Sequence, residues 1–300
     1  MIAATVRVIR TPAARAARMR RRPALLAALI YLVMALAMFG PALVPGHTLS
    51  GSDLSWFSPP WSAVKPHALA HPSNSDLADP RSVMQPFTQY VEQRLPSIPL
   101  WNPYIQGGRP LLADGQSAVF SPFSVPAYLL PFFSSLVWTA VLKLWVAAFG
   151  MFLLARALGM RFAGALLSGL VYGFNLWLVT WLSYPHSGVW AMLPWILLAT
   201  EYLVRRPDLV SGGALAAAVA LQFLCGHPES SFHVLVAAVG FFVLRIVLEW
   251  RRVEGSAVRL ATPALAFAVS LLGGAALAAL VLLPFGELLA NSSDIHARAG

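Results

Sequence analysis

Charge is scarce in this chain. Only 11% of its 300 residues are Asp, Glu, Lys or Arg, whereas soluble domains carry about a quarter. That deficit argues against a soluble globular domain. Cysteine is scarcer still. Cys225 is the single one, so no intramolecular disulfide can form. Neither a CxxC nor a His/Cys zinc pattern is present, and no internal repeat is evident. Acid is missing from the whole N-terminal region, with no Asp or Glu before Asp53.

Apolar residues are plentiful. They make up 58% of the chain, and the mean hydropathy is +0.68. They fall in runs of roughly twenty, the length a helix needs to cross a bilayer. The composition predicts an all-α polytopic membrane protein. The formal net charge of +9 raises nucleic acid as a partner, but its distribution speaks against that. Seven arginines lie within residues 1–22, a basic arm suited to anionic lipid. The apolar stretch at 23–44 is longer than the core of a cleaved leader. The PGHTLSG that follows offers no small-x-small cleavage site, so the stretch reads as a signal anchor.

Hydropathy predicts about seven spans, near 24–44, 136–155, 163–183, 188–204, 212–225, 231–248 and 262–283. Arginine sets their direction. The N-terminal arm, the turn at Arg156 and Arg161, the pair Arg205–Arg206 and the turn with Arg251, Arg252 and Arg259 alternate consistently onto one side, read as the cytoplasm. The expected organisation is a cytoplasmic arm at 1–22, a first span at 23–44 and a large extracytoplasmic loop at 45–135. A bundle of about six helices follows at 136–290, then an extracytoplasmic end at 291–300. The odd span count and abrupt end suggest the N-terminal part of a longer protein. Acids and histidines collect on the outward side, so any acid–base or metal chemistry must face outward.

The long loop is too large for a mere connector and too rich in Trp, Phe, Tyr and Leu for disorder. Residues 82–94 (SVMQPFTQYVEQR) suit a short interfacial helix limited by Pro86. Residues 120–133, interrupted by three prolines, suit a re-entrant or interfacial piece rather than a span. Asp53 and Asp79 flank a Trp- and Pro-rich stretch. A carboxylate near a membrane surface can take a proton from an acceptor hydroxyl or hold a divalent cation against a phosphate. The plainer roles are an Asx turn for Asp53 and a helix N-cap for Asp79. Asp76 and Asp114 read as turn residues.

Within WNPYIQGGRP, Trp101 offers a ring for an apolar sugar face, and Asn102, Gln106 and Gln116 offer bonds to hydroxyls. Arg109 offers a forked donor for phosphate. Against these stand a structural turn that packs Trp101, and an Arg109 that bonds loop carbonyls. His186 lies in SYPHSG, and His227 and Glu229 lie in CGHPESSFH. Pro228 suits a first helical turn, whose free N–H groups attract anions. His227 beside it suits phosphate binding or acid–base work near neutral pH. Helix-end capping is the alternative. Lys143 reads as the one clear cation within a span, with snorkelling as its plainer role.

Several of these stretches together resemble the YfhO family of bacterial membrane proteins. They are D79PRSVMQPF, P99LWNPYIQGGRPLLADGQSAVFSP, the SYPH around His186 and the GHPESSFH around His227. The family is similar to membrane glycosyltransferases of the GT-C type. The resemblance implies a bacterial inner-membrane protein with a GT-C-like fold. It would transfer sugar from a polyprenyl-phosphate donor to an envelope glycan or polymer on the outer face. Catalysis would fall to Asp79 or Asp53, the spacing leaving open which. Asp79 better matches the family pattern, whereas Asp53 lies closer to the first span. His186, His227 and Arg109 would serve the lipid phosphate, with Trp101, Asn102, Gln116 and Glu229 as further substrate contacts. Whether a divalent cation takes part is left open. The rivals are a transporter or flippase of lipid-linked glycans, and a non-catalytic fragment.

Overall fold

The computed structural model describes residues 12–105, 107–252 and 257–292. The arm at 1–11, Gln106, the turn at 253–256 and the end at 293–300 lie outside the described residues, and Asp294, His296 and Arg298 with them. The chain is mostly helical. Helix α1 spans Pro12–Met38. The long loop that follows contains short 3-10 turns, a π turn at Pro80–Met84 and α2 at Gln85–Glu92. It also holds a two-residue strand pair, β1 at Trp101–Asn102 and β2 at Arg109–Pro110, and α3 at Val125–Leu129. The bundle is α4 (Phe132–Ala157), α5 (Phe162–Gly173), α6 (Leu176–Thr180), α7 (Pro185–Arg205), α8 (Leu209–Leu224), α9 (Pro228–Arg252), α10 (Ala257–Leu277) and α11 (Ala279–Ala290).

Among the described residues, four helical stretches are long and apolar enough to cross a membrane: Phe132–Ala157, Phe162–Thr180, Pro185–Arg205 and Pro228–Glu249. A fifth is the pair Ala261–Leu277 and Ala279–Ala290, bent by 78°. Leu209–Leu224 falls short of that length, and Arg22–Met38 is the apolar part of the 27-residue α1, ending before the expected residue 44. Local chemistry explains these departures. The first span stops at Met38 because Gly40-Pro41 cannot continue an α-helix, and a 3-10 turn takes over. The third breaks where the Asn175 side chain accepts from the Leu178 N–H at 2.9 Å and starts α6. The seventh breaks at Ala278, between α10 and α11. Residues 120–133 form no span, only a 3-10 turn at Pro122–Ser124 and the short α3.

Helix ends follow sequence cues. Helix α4 ends at Gly159, whose φ of +96° lets the Met160 N–H reach back to the Ala155 carbonyl at 3.0 Å. Asp208 and Ser211 form a reciprocal capping box at the start of α8. Pro185 and Pro228 begin α7 and α9, where a missing N–H costs nothing. Pro194 lies inside α7, so the Trp190 carbonyl lacks its helical donor. The Tyr172 hydroxyl from α5 supplies one at 2.7 Å. Similar ties join other helices. Trp145 donates to Ala28 at 2.9 Å, Tyr31 to Leu166 at 2.9 Å, and Trp195 to Val146 at 3.0 Å. In an apolar surrounding such polar groups must find partners inside the protein.

The main core joins α4, α7, α8 and α9 around Leu144, Ile196, Leu203, Leu215 and Val234. A separate small core, Phe87, Val91, Leu111 and Val119, holds the long loop together. The loop sits on one end of the bundle. Tyr184 donates its hydroxyl to the Asp76 carbonyl at 3.1 Å, and the His227 N–H donates to the Gly115 carbonyl at 2.9 Å. This is the loop end. At the opposite end Arg205 reaches the Ala157 carbonyl at 2.6 Å. We call it the arginine end.

Ionisable groups inside the apolar helices differ from expectation. Lys143 does not snorkel but is buried, 6% exposed. It is also not alone. Glu201 in α7 is fully buried and takes Arg245 of α9 in two bonds, of 2.5 and 2.9 Å, and Arg205 at 2.8 Å.

Candidate functional site

At the loop end, the α6–α7 turn is positioned by Lys143. Its ammonium donates to the Leu182 carbonyl at 2.9 Å, the Tyr184 carbonyl at 2.8 Å and the Ser187 hydroxyl at 2.9 Å. Three donors meet three acceptors, so this cation is saturated by the protein. The turn it holds presents Tyr184 and, one residue into α7, His186. The His186 ring is half-buried among Trp177, Trp181 and Tyr184, at centroid distances of 5.7, 5.0 and 5.2 Å. Its nearest ring is His227, edge-on at 4.8 Å.

His227 arrives from the α8–α9 turn. Gly226 there has φ +80°, and a Cβ on it would lie 2.6 Å from the Gly115 carbonyl oxygen. His227 itself has φ +63°, unusual for a residue with a side chain. Its Nδ1 accepts from the Ser230 N–H at 3.2 Å, and its carbonyl accepts from the Ser231 N–H at 3.1 Å. His227 is thus the N-cap of α9, and those N–H groups are engaged rather than open to an anion. Burial holds the His227 imidazole below its usual range, opposed by the Glu229 carboxylate. Glu229 is exposed, and its carbonyl accepts from His233 Nδ1 at 2.9 Å.

Beside these turns lies a cavity of about 100 Å³ between the loop and the bundle. Gln85, Thr88, Gln116, Ser121, Thr139, Lys143 and Tyr184 line it, with Phe123 and Cys225. No carboxylate lines it. Thr88, Ser124 and Thr139 donate their hydroxyl protons to backbone carbonyls, leaving oxygen lone pairs free to accept. Phe123 also borders a second space of about 390 Å³, walled by Leu142, Val146, Met192, Trp195, Ala218 and Leu221. That groove lies between α4, α7 and α8 and is almost wholly apolar.

The two candidate aspartates differ. Asp79 is exposed and makes no hydrogen bond or ion pair among the described residues. It stands at an N-cap position with helical backbone angles, yet its side chain caps nothing. Burial raises the Tyr184 phenol above its usual range, and the charges of Asp79 and Asp76 add to that shift. Asp79 therefore lies within electrostatic reach of a cavity-lining side chain. Asp53 ties distant segments together by accepting the Ser73 N–H at 2.6 Å, and that bond holds its carboxyl below the usual range. It forms no local Asx turn through this bond. Its other oxygen, Oδ1, is buried without a partner.

The remaining candidates sit elsewhere in the loop. Trp101 lies flat over Gly108, where a Cβ would meet its ring nitrogen at 2.7 Å, and its outer surface is exposed. Asn102 is buried and accepts from the Tyr104 N–H at 3.0 Å. Arg109 is ion-paired with Asp114. Burial raises the Asp114 carboxyl, and the Arg109 guanidinium opposes that shift. None of Trp101, Asn102 and Arg109 lines the cavity. His186, His227 and Gln116 are therefore gathered at the bundle, Asp79 is close by, and the Trp101–Arg109 hairpin stands apart.

Thr88 and Thr139 line the cavity without any motif to mark them, whereas Gln85 belongs to the D79PRSVMQPF stretch. Tyr184 was visible inside SYPH, one turn position before the proline. Glu201 and Arg245 were visible as charges inside apolar runs. Among the described residues, no group of three or more His, Cys, Asp or Glu side chains could hold a metal ion. No family model, curated protein or solved structure matches the chain.

Proposed function

We propose that this chain is the membrane-embedded part of a GT-C-type glycosyltransferase of the YfhO kind, using a sugar linked to a polyprenyl phosphate. The observation that carries the reading is the pairing of two spaces through Phe123. One has a mixed lining, largely apolar, in which hydroxyl acceptors and amides are set and, among the described residues, no carboxylate. The other is apolar and lies between the bilayer-length α4 and α7 and the shorter α8. An amphiphile with a neutral, hydroxyl-rich head and a hydrocarbon tail matches both.

In this reading the loop end faces outward and the arginine end faces the cytoplasm of a bacterial inner membrane, as the arginine-bearing turns favour. Arg22–Met38 and Leu209–Leu224 cross with the other helices, giving seven spans. Asp79 takes the proton of an acceptor hydroxyl on an envelope glycan or polymer. That oxygen attacks the anomeric carbon, and the sugar–phosphate C–O bond breaks. The electron pair leaves with the phosphate, which the N–H groups of His186 and His227 stabilise. Arg109 and Lys143 are already engaged and take no part. Asp53 acts as a tie within the loop.

The test is transfer from a polyprenyl-phosphate sugar by purified protein in lipid nanodiscs. Asp79→Asn is expected to lower the rate by about a hundredfold or more, and Asp53→Asn chiefly to lower stability. Full transfer by the Asp79 variant would remove the carboxylate assignment. One observation favours the rival transporter reading. The buried Glu201–Arg245 pair gives the bundle a second set of charges inside its apolar helices. Movement of labelled lipid across the bilayer with no transfer would support that reading instead.

A further inference from the structure

We propose that the His227 imidazole is an acid-sensitive latch that fastens the long loop to the helix bundle. The inference holds whether or not the chain transfers a sugar. Three contacts converge on this residue. Its N–H holds the Gly115 carbonyl of the loop at 2.9 Å. Its Nδ1 caps α9 by accepting the Ser230 N–H at 3.2 Å. Its ring edge meets His186 of α7 at 4.8 Å. The N-cap role is ordinarily filled by Ser, Thr, Asp or Asn, whose acceptor oxygens survive mild acid. An imidazole in that role is different. Nδ1 accepts only while it carries no proton, so the capped state requires the Nε2–H tautomer.

Protonation turns that acceptor into a donor facing another donor. It leaves the Ser230 N–H without its cap and sets a cation at the positive end of the α9 dipole. The surroundings add to the effect. His186 on α7 and Lys143 on α4 present a second imidazole and a fixed ammonium on the same side. Glu229 on α9 is the one carboxylate in the first turn of that helix, and it is exposed. On the loop, Asp114 next to Gly115 is already paired with Arg109. Tyr184 packs on His186 at 5.2 Å, Asp76 and Asp79 act on Tyr184, and Cys225, two residues before His227, is buried.

The left-handed backbone of His227 is held by the same contacts that protonation weakens. Losing the cap therefore frees the Gly115 carbonyl, and with it the loop that roofs the cavity. The latched state keeps His227 neutral, and the released state lets it charge. The latch is therefore whole above the free imidazole value of about 6.5 and weakens as the pH falls below it.

Hydrogen exchange of the full chain in nanodiscs tests this, corrected for the intrinsic pH dependence of exchange. Between pH 7.5 and 5.5, protection of the amides at 227–231 and 111–119 is expected to fall by about tenfold. His227→Asn supplies an acceptor that mild acid does not touch and tolerates the positive φ. It should hold protection constant across that range. His186→Phe keeps a ring beside His227 and should retain the response. A flat wild type, an equal fall in His227→Asn, or a flat His186→Phe would each overturn the proposal.

Discussion

Helix α7 carries one buried charge contact near each end, and the two are solved in opposite ways. At the loop end the Lys143 ammonium is met by neutral oxygens, two carbonyls and a hydroxyl. At the arginine end the Glu201 carboxylate is met by two guanidiniums, from Arg205 and Arg245. The first arrangement shapes a turn and leaves a net positive charge beside the cavity. The second ties helices through opposite charge, and its one carboxylate against two guanidiniums also sums to a single positive charge. The loop end thus uses its charge to shape a turn, while the arginine end uses its charges to hold α7 to α9. A buried pair is costly to desolvate but much costlier to half-remove.

Three substitutions probe that contrast. Glu201→Ala strands Arg245 in a buried setting, and a loss of about 3–5 kcal/mol is expected. Thermal unfolding in detergent would show it, and a loss under 1 kcal/mol would equate the two ends. Lys143→Met removes a donor from carbonyls that keep part of their bonding through Ser187. A smaller loss, about 1–3 kcal/mol, is expected from the same measurement. It should come with changed fluorescence from Trp181 and Trp177, which flank the turn. A third buried polar group tests the rule from the other side. Gln222 in α8 is fully buried, and neither amide atom has a partner. Gln222→Leu is expected to be neutral or to stabilise by up to about 1 kcal/mol, and a marked loss would show that the amide is engaged.

The sequence made the broad architecture legible, because hydropathy and arginine placement depend on bulk solvent rather than on partners. The helices of the bundle, the interrupted stretch at 120–133 and the short helix near Gln85 all follow from periodicity and proline. The 78° bend at Ala278 did not, since small residues there permit a straight or a broken helix equally. Among site residues, His186 and His227 were legible as histidines beside prolines at helix starts. Their contact was not, because 41 positions separate them and only the closed bundle joins α7 to the α8–α9 turn. Arg109 offered the same fork to a phosphate or a carboxylate, and Asp114, five positions on, decided the matter. The Glu201–Arg245 pair spans two helices, and no local pattern encodes such a match.

Pro194 vacates a single carbonyl on α7, and the Tyr172 hydroxyl of α5 occupies it at 2.7 Å. The vacancy acts as a peg hole: α5 can seat at one depth against α7, and sliding by a turn leaves both peg and hole empty in a medium that offers no substitute. Two smooth apolar helices could trade registers at little cost. These two are indexed, and the position of the α6–α7 turn, with His186 at its edge, is referenced to that mark.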